Sequence, residues 1–256
     1  MNMLRASTYS VMATGARLLA ALVVVKLVAW FAGPEGVGKL GQFMSLMSLL
    51  AVLAGGGIGT GVVKYVAEYR DDAAKLARLL SAALWYALCA SCVIGLVTLI
   101  FNRPITRWLL GDLHYQSVIQ VLAIAQLGIA LANYALAVIN GFMDVRRLAL
   151  IQVFGSLGSM VAAIWLARVF HLYGALLALI VGQLALWVVG FPVLKRSGYF
   201  LPAMLRARFD REMVSRLAAF SVMTLVSALL PPLIGIGVRD HLAEQFGWQH
   251  VGYWQA

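Results

Sequence analysis

The sequence predicts an all-helical membrane protein that crosses the bilayer several times. Of the 256 residues, 62% are hydrophobic and 12% are charged, whereas soluble domains are about 45–50% apolar and 25% charged. The mean hydropathy of the chain is +0.89. The apolar runs are continuous, whereas strands of a membrane barrel alternate apolar and polar residues over about ten positions. These observations exclude a water-soluble fold and favour membrane helices over strands.

Seven apolar runs are long enough to cross a hydrocarbon core of about 30 Å, which takes roughly 20 helical residues. Polar segments or segments with Gly and Pro separate the runs, such as GPEG at 33–36 and DVRR at 144–147. No cleavable signal peptide is evident at the start, so we expect the first span to remain in the mature protein. We predict spans at about 9–32, 41–65, 79–101, 117–141, 148–169, 173–194 and 216–238.

The distribution of basic residues predicts the orientation of these spans. Lys and Arg are retained on the cytoplasmic side of short loops. With the N-terminus inside, thirteen of the 20 Lys and Arg residues lie on the cytoplasmic side, five lie outside, and two lie within the first span. We therefore predict a multi-pass membrane protein with a cytoplasmic N-terminus. The net charge of +10 then reflects topology, and nucleic acid is not expected as a partner.

The segment after the sixth span predicts how the chain divides. Residues 196–215 interleave apolar side chains with arginines, which is typical of a helix lying in the membrane interface. We therefore predict an N-terminal six-helix lobe at 1–195, a cytoplasmic amphipathic linker at 196–215 and the start of a second lobe at 216–256. Because the last region holds a single span, we expect the chain to be truncated.

Two cations lie deep in the first span. Arg17 and Lys26 are each about 6–8 Å from the middle of that span, at 1.5 Å per residue. Ionisable groups inside a membrane usually face a bundle interior or a hydrated cavity. They are candidates for an anion site, and the alternative is that each long side chain reaches the nearer membrane surface. Nine residues separate them, so a straight helix directs them to opposite faces unless it bends.

Carboxylates are absent from all seven predicted spans, because the ten Asp and Glu residues fall in loops or at span ends. Proton relays, sodium sites and sites for cationic drugs commonly use buried carboxylates. Catalysis by paired carboxylates is disfavoured for the same reason. An interior with positive charge alone favours an anionic cargo such as a pyrophosphate, to which Arg offers a planar pair of donors. No cofactor or metal site is expected.

Span four carries a stripe of polar residues. Gln126, Asn133 and Asn140 recur every seven residues, and Asp144 follows near the cytoplasmic end, so we expect all four on one helix face. A second stripe, Gln152 with Ser156 and Ser159, occurs in span five. Such side chains either hydrogen-bond between helices or line a hydrated groove that suits sugar hydroxyls. We favour the groove for span four.

Span two holds a cluster of glycines at 55, 56, 57, 59 and 61. They are not a phosphate-binding loop, because no Lys-Ser or Lys-Thr pair follows them. Small residues four apart allow close helix packing, and they also weaken the helix so that it can bend. Lys64 follows at the cytoplasmic end of the span, where it can pair with Glu68. Both interpretations of the glycines remain open.

Four stretches carry a family resemblance: GPEGVGKLGQF, LAGGGIGTGVVKYVAEY, ALANYALAVINGFMDVRR and HVGYWQA. They resemble the lipid III flippases of enterobacterial common antigen synthesis. These flippases belong to the Wzx group within the multidrug/oligosaccharidyl-lipid/polysaccharide (MOP) exporter superfamily. The resemblance implies two six-helix lobes around a cavity, of which this chain supplies the first lobe and one further helix. Arg17, Lys26, Lys64 and Asp144 match basic or acidic positions of the family.

The resemblance also implies a function and its partners. It implies that a polyprenyl-pyrophosphate oligosaccharide, lipid III or an O-antigen unit, crosses from the cytoplasmic to the periplasmic leaflet by alternating access without nucleotide hydrolysis. Partners are then this glycolipid and membrane lipids, and polysaccharide polymerase or chain-length proteins are compatible with it. A drug exporter of the same superfamily, a flippase for the peptidoglycan precursor lipid II, and an enzyme acting on the glycolipid remain alternatives. The short external loops argue against the enzyme.

Overall fold

The computed structural model describes residues 3–55, 58–199 and 211–255, and every regular element in these ranges is helical. The fold class predicted from the sequence, an all-α polytopic protein, is confirmed. A short 3₁₀ turn at Leu113–Tyr115 precedes the fifth α-helix. The α-helices are α1 (Met3–Gly55), α2 (Ile58–Tyr69), α3 (Ala73–Ile100), α4 (Asn102–Leu110), α5 (Gln116–Gly141), α6 (Val145–Arg196), α7 (Arg211–Phe246) and α8 (Trp248–Gln255).

Five helices in the described ranges are long and apolar enough to cross a membrane, and two of them are long enough to cross it twice. Helix α1 is interrupted at Gly33 (φ 63°), which precedes Pro34, and helix α6 is interrupted at His171 (φ 52°). Proline lacks the amide hydrogen that the preceding turn would bind. Each interruption lies between two predicted spans. The seven predicted spans therefore fall on the five long helices and α2, and α1 and α6 each pass through two of them.

The helix boundaries differ from the prediction in three places. The predicted second span is shared between α1, which ends at Gly55, and α2, which begins at Ile58. Helices α4 and α8 lie in segments that the sequence analysis left as connections. Both are short, so their apolar content is too small to stand out against the neighbouring spans. Most of the predicted linker, residues 200–210, lies outside the described residues, so the predicted division into lobes remains untested.

The two ends of the bundle are defined here by their residues. The Gly33 end holds the interruptions of α1 and α6, the 3₁₀ turn and the start of α5. Helix α5 runs from there for about 39 Å to the other end. The Asp144 end holds the connection between α5 and α6. One apolar core lies towards the Gly33 end and includes Leu40, Phe43 and Leu176. A second core joins α2, α3, α5 and α6 towards the Asp144 end.

Small residues allow the helices to approach closely. A Cβ on Gly95 of α3 would lie 2.7 Å from the carbonyl oxygen of Ala123 in α5, so only glycine fits there. Gly182, in the second half of α6, lies directly against Ser159 of the first half. Helix association inside a bilayer depends on such close packing, because lipid tails are as apolar as the helices and provide no hydrophobic driving force.

Candidate functional site

A groove runs between α1, α2, α5, α6 and α7. It consists of three adjoining cavities with volumes of about 360, 260 and 580 Å³, and Asn133 of α5 lines all three. The first cavity is bounded by the N-terminal half of α1 and both halves of α6, and the last reaches Asn140, close to the Asp144 end. The core that contains Leu40 and Phe43 lies between the groove and the Gly33 end.

Polar side chains line the groove along its whole length. Arg17 of α1 is the one charged residue among the described lining residues, which include no Asp or Glu. Arg17 is exposed to the groove and forms no ion pair with any described carboxylate. Its guanidinium therefore has free donors. The other polar lining residues are neutral: Ser48, Thr60, Asn133, Asn140, Gln152, Ser156, Ser159 and Gln183.

Helical spacing explains why these residues meet. Asn133 and Asn140 are seven residues apart, so both project from the same side of α5. Gln152, Ser156 and Ser159 occupy successive turns of α6 and line the same cavity as Arg17. Since α6 folds back at His171, Gln183 from its second half joins this wall. Asn133 and Asn140 of the first polar stripe thus face the same space as the second stripe.

Lys26 does not share this space. It is exposed and lines neither the three groove cavities nor the cavity beside Glu35 and Lys39. The interruption of α1 at Gly33 follows both cations, so the segment that carries Arg17 and Lys26 is a single uninterrupted helix. At nine residues apart, the two side chains leave that helix on opposite sides. A role for Lys26 in binding stays a prediction.

Gln126 lies inside the helix bundle and does not face the groove. The side chain is 1% exposed and its Cβ lies beside Gly95 of α3. Neither its amide nitrogen nor its amide oxygen has a hydrogen-bond partner among the described residues. The heptad stripe drifts by about 20° per repeat on a straight helix. The groove face of α5 therefore holds Asn133 and Asn140, while Gln126 points towards α3.

Asp144 and Lys64 lie at the Asp144 end, outside the groove. Asp144 caps the N-terminus of α6, accepting a hydrogen bond from the amide of Arg147 (3.1 Å), and pairs with the Arg147 guanidinium at 2.7 Å. It also accepts a 3.4 Å hydrogen bond from the Tyr199 hydroxyl. Lys64 is exposed on α2, with Nζ 5.2 Å from the centroid of the Tyr65 ring. Binding roles for both residues remain predictions.

Three groove residues were not identified from the sequence: Gln183, Ser48 and Thr60. Gln183 was recognisable in principle, since it is an amide in the middle of an apolar span, where polar residues usually face inward. Ser48 and Thr60 have hydroxyl groups that can bond to their own helix backbone, so their presence in a span carries little information. Their exposure to the groove follows from packing alone.

The glycines of span two have an environment that the sequence could not supply. A Cβ on Gly55 or Gly59 would meet no other atom within 4 Å, and both residues line the largest of the three cavities. Close packing therefore does not explain these two glycines. They leave the groove wall without side chains at this point. Gly56 and Gly57 lie outside the described residues.

A second arginine, which is buried, lies at a junction of α1, α7 and α8. The guanidinium of Arg239 donates from Nε (2.9 Å) and Nη2 (2.6 Å) to Oε1 of Gln255, and from Nη1 to Oγ of Ser45 (2.9 Å). The Trp254 ring lies 5.3 Å from its central carbon. Arg239 is only 8% exposed. The last predicted span ends at residue 238, so the sequence placed Arg239 outside the spans, whereas the structure buries it between helices.

Comparison with known proteins agrees with this architecture. A family model described as "Polysaccharide biosynthesis protein" matches residues 3–255. The Lipid III flippases of Escherichia coli (strain K12) and Shigella flexneri are each 33% identical to the chain over 255 residues. The match covers 100% of this chain and 61% of each relative. The chain thus spans about three fifths of the length of these curated relatives.

Solved structures show the same fold. A MOP superfamily transporter from Pyrococcus furiosus superposes with a TM-score of 0.70 at 20% identity, over 88% of this chain and 52% of its own. An inward-facing multidrug resistance MATE family transporter of the same superfamily superposes with a TM-score of 0.68 at 17% identity, over 92% of this chain and 56% of its own. The resemblance recognised in the sequence is confirmed: the chain is a multi-pass membrane protein with the fold of the MOP transporters, and it belongs to the polysaccharide biosynthesis protein family.

Proposed function

We propose that this chain forms the first lobe of an inner-membrane flippase for an undecaprenyl-pyrophosphate-linked oligosaccharide, lipid III or an O-antigen unit. The observation that carries the proposal is the groove, in which Arg17 is the one charged residue among the described lining residues and the other polar ones are neutral. The E. coli and Shigella relatives are named Lipid III flippases. In this proposal the N-terminus is cytoplasmic, the Asp144 end faces the cytoplasm, and transport proceeds by alternating access.

In this proposal Arg17 binds the pyrophosphate group of the cargo. A guanidinium presents parallel N–H donors that match two phosphate oxygens. Such charge-assisted hydrogen bonds strengthen where bulk water is excluded. Because no described residue occupies the donors of Arg17, they are available to an incoming anion without breaking an existing contact.

In this proposal the neutral polar residues of the groove bind the glycan. The amides of Asn133, Asn140, Gln152 and Gln183 each offer both a donor and an acceptor, as sugar hydroxyls require. These residues come from two helices and line the cavity with Arg17 or the one adjoining it. The lipid tail stays in the bilayer, because moving it through a polar groove would take it out of its apolar environment.

An export assay tests the proposal. A chimera joins residues 1–255 of this chain to the part of the E. coli Lipid III flippase beyond the matched region, in cells that lack their own flippase. We expect the chimera to restore enterobacterial common antigen at the cell surface, measured by immunoblotting. Arg17→Gln should lower export by about 10- to 100-fold, the loss of one charge-assisted interaction, and Arg17→Lys should keep part of it.

Arg168→Gln provides the matched control for this assay. Arg168 is an exposed arginine of α6 that lines none of the three groove cavities, so its loss should leave export unchanged. Equal export by the Arg17→Gln and parent chimeras, at equal membrane levels, would contradict the role of Arg17. If the chimera instead rescues cells depleted of their lipid II flippase, the cargo is the peptidoglycan precursor.

A further inference from the structure

A separate cavity of about 300 Å³, the outer pocket, lies at the Gly33 end. Its walls are built where the two interrupted helices meet the 3₁₀ turn, from Glu35, Lys39, His114, Tyr115, His171 and Tyr173. The apolar core with Val28, Leu40 and Leu176 lies between this pocket and the groove. Its volume is at the lower end of the range for small-molecule pockets. The outer pocket is therefore distinct from the groove and suits a ligand of monosaccharide size.

The charges beside the outer pocket neutralise each other. Nζ of Lys39 lies 2.7 Å from Oε1 of Glu35, and the Lys39 side chain is only 12% exposed. The rings of Tyr115 and Trp248 enclose the ammonium, with centroids 5.7 and 5.8 Å from Nζ. The half-exposed Glu35 carboxylate retains acceptor capacity towards the pocket. This arrangement offers hydrogen bonds without a strong net field, which favours a neutral polar ligand over an ion.

Aromatic rings supply the rest of the wall. The His114 ring lies 5.4 Å from the centroid of Tyr115 and 6.0 Å from that of Tyr173. A hydrogen bond of 3.1 Å between the Tyr173 hydroxyl and Oγ of Ser117 fixes the Tyr173 ring. Aromatic faces carry negative partial charge and attract the polarised C–H groups on one side of a ligand. Rings beside hydrogen-bonding side chains match a molecule with one apolar face and a polar edge.

Other ligand classes fit the outer pocket less well. The described residues contain no group of three His, Cys, Asp or Glu side chains that could hold a metal ion. A phosphate would meet Lys39 already paired with Glu35. A lipid chain would have to desolvate the ion pair and two imidazoles without satisfying them. A sugar ring satisfies the polar edge with its hydroxyls and covers the aromatic rings with its C–H face.

We propose that the outer pocket binds a single sugar ring of the transported glycan at the Gly33 end of the bundle. The proposal rests on the proposed function, in which this end faces the periplasm and the glycan emerges there. His114 and Tyr173 provide the stacking surface, and Glu35 and Lys39 bind the hydroxyls. The outer pocket is thereby a second glycan subsite, separate from the groove that holds Arg17.

Saturation-transfer NMR on the purified chain in lipid nanodiscs tests this proposal, with N-acetylglucosamine as the probe. We expect binding with a dissociation constant on the order of 1 mM, as usual for so small a ligand. Tyr173→Leu and His114→Leu should each weaken binding by about fivefold or more. Tyr173→Phe keeps the ring and should retain binding, and so should Trp165→Leu, which removes an exposed ring of the same helix outside the pocket.

Because His114 is exposed, its replacement leaves the core intact. Unchanged binding in His114→Leu, or no saturation transfer to the parent chain, would overturn the proposal. Loss of the signal in Arg17→Gln or Asn133→Leu but not in His114→Leu would place the sugar in the groove and would also overturn it. Binding of the sugar is measured without export. The result of the NMR experiment is therefore independent of the result of the Arg17→Gln export assay.

Discussion

Arg17 and Arg239 are both arginines inside the membrane-spanning part of the chain, and their surroundings differ completely. Arg239 is buried, and Gln255 and Ser45 accept hydrogen bonds from all three of its nitrogens. Arg17 faces the groove, and none of the described carboxylates pairs with it. An arginine whose donors are occupied holds helices together. One whose donors are free can bind an anion.

Glycines at the two places differ in the same way. Gly41 of α1 lies against the junction, where an added Cβ would come within 2.5 Å of Oε1 of Gln255 and 3.1 Å of Nε of Arg239. Gly59 of α2 lies in the groove wall, where an added Cβ would meet nothing within 4 Å. The junction is closely packed and its polar groups are bonded to each other. The groove is open and its polar groups remain available.

The largest expected effect is a difference in protein stability between variants of the two arginines. Arg239→Leu should lower the free energy of unfolding by about 3 kcal/mol, because it removes three hydrogen bonds to a charged group and releases α8. Arg17→Leu should change it by less than about 0.5 kcal/mol. Unfolding by sodium dodecyl sulfate in mixed micelles measures both. Equal losses in the two variants would remove the distinction.

The paired glycines give a smaller effect with opposite signs. Gly41→Ala should destabilise the protein by about 1–3 kcal/mol, since the methyl group forces Gln255 and Arg239 apart. Gly59→Ala should stabilise it by about 0.5–1 kcal/mol, because alanine loses less conformational freedom in a helix. The same micelle titration reports both changes. Destabilisation by Gly59→Ala would indicate that the groove wall is closely packed after all.

The smallest effect concerns the cation that lies away from the groove. Lys26→Gln should change binding of farnesyl pyrophosphate to the chain in nanodiscs by less than about twofold, since exposed charges at a distance are screened. Arg17→Gln in the same assay should weaken binding by about 10-fold or more. Farnesol, which lacks the pyrophosphate, serves as the ligand control. A tenfold loss in Lys26→Gln would restore the joint Arg17 and Lys26 site.

Sequence patterns predicted the fold because membrane helices depend on local composition. The seven apolar runs follow from run length, and the break at Gly33 follows from residues that interrupt helices. The predicted spans also left a gap at 170–172, where α6 is interrupted at His171. The same patterns missed α4 and α8, which are too short to raise the hydropathy of a window. The sequence also placed Arg239 outside the spans, because the last predicted span ends at residue 238. Its partner Ser45 is 194 residues away along the chain, so local sequence does not show that the two meet.

The lining of the candidate site was predicted in part, for reasons that three positions of α5 illustrate. Asn133 and Asn140 face the groove as expected, because their heptad spacing keeps them on one side of the helix. Gln126 follows the same spacing but turns towards Gly95, where α3 approaches closely. Which side of a helix meets a cavity is decided by its neighbours. A single sequence records the stripe but not those neighbours.

The single-residue interruptions at Gly33 and His171 restrict how the molecule can rearrange. Successive Cα atoms are only 3.8 Å apart, so the two halves of α1 cannot be drawn apart at Gly33, and the two halves of α6 cannot be drawn apart at His171. Each interrupted helix therefore moves as a hairpin whose two halves stay joined at the interruption. At that end, any opening must occur between hairpins and never within one.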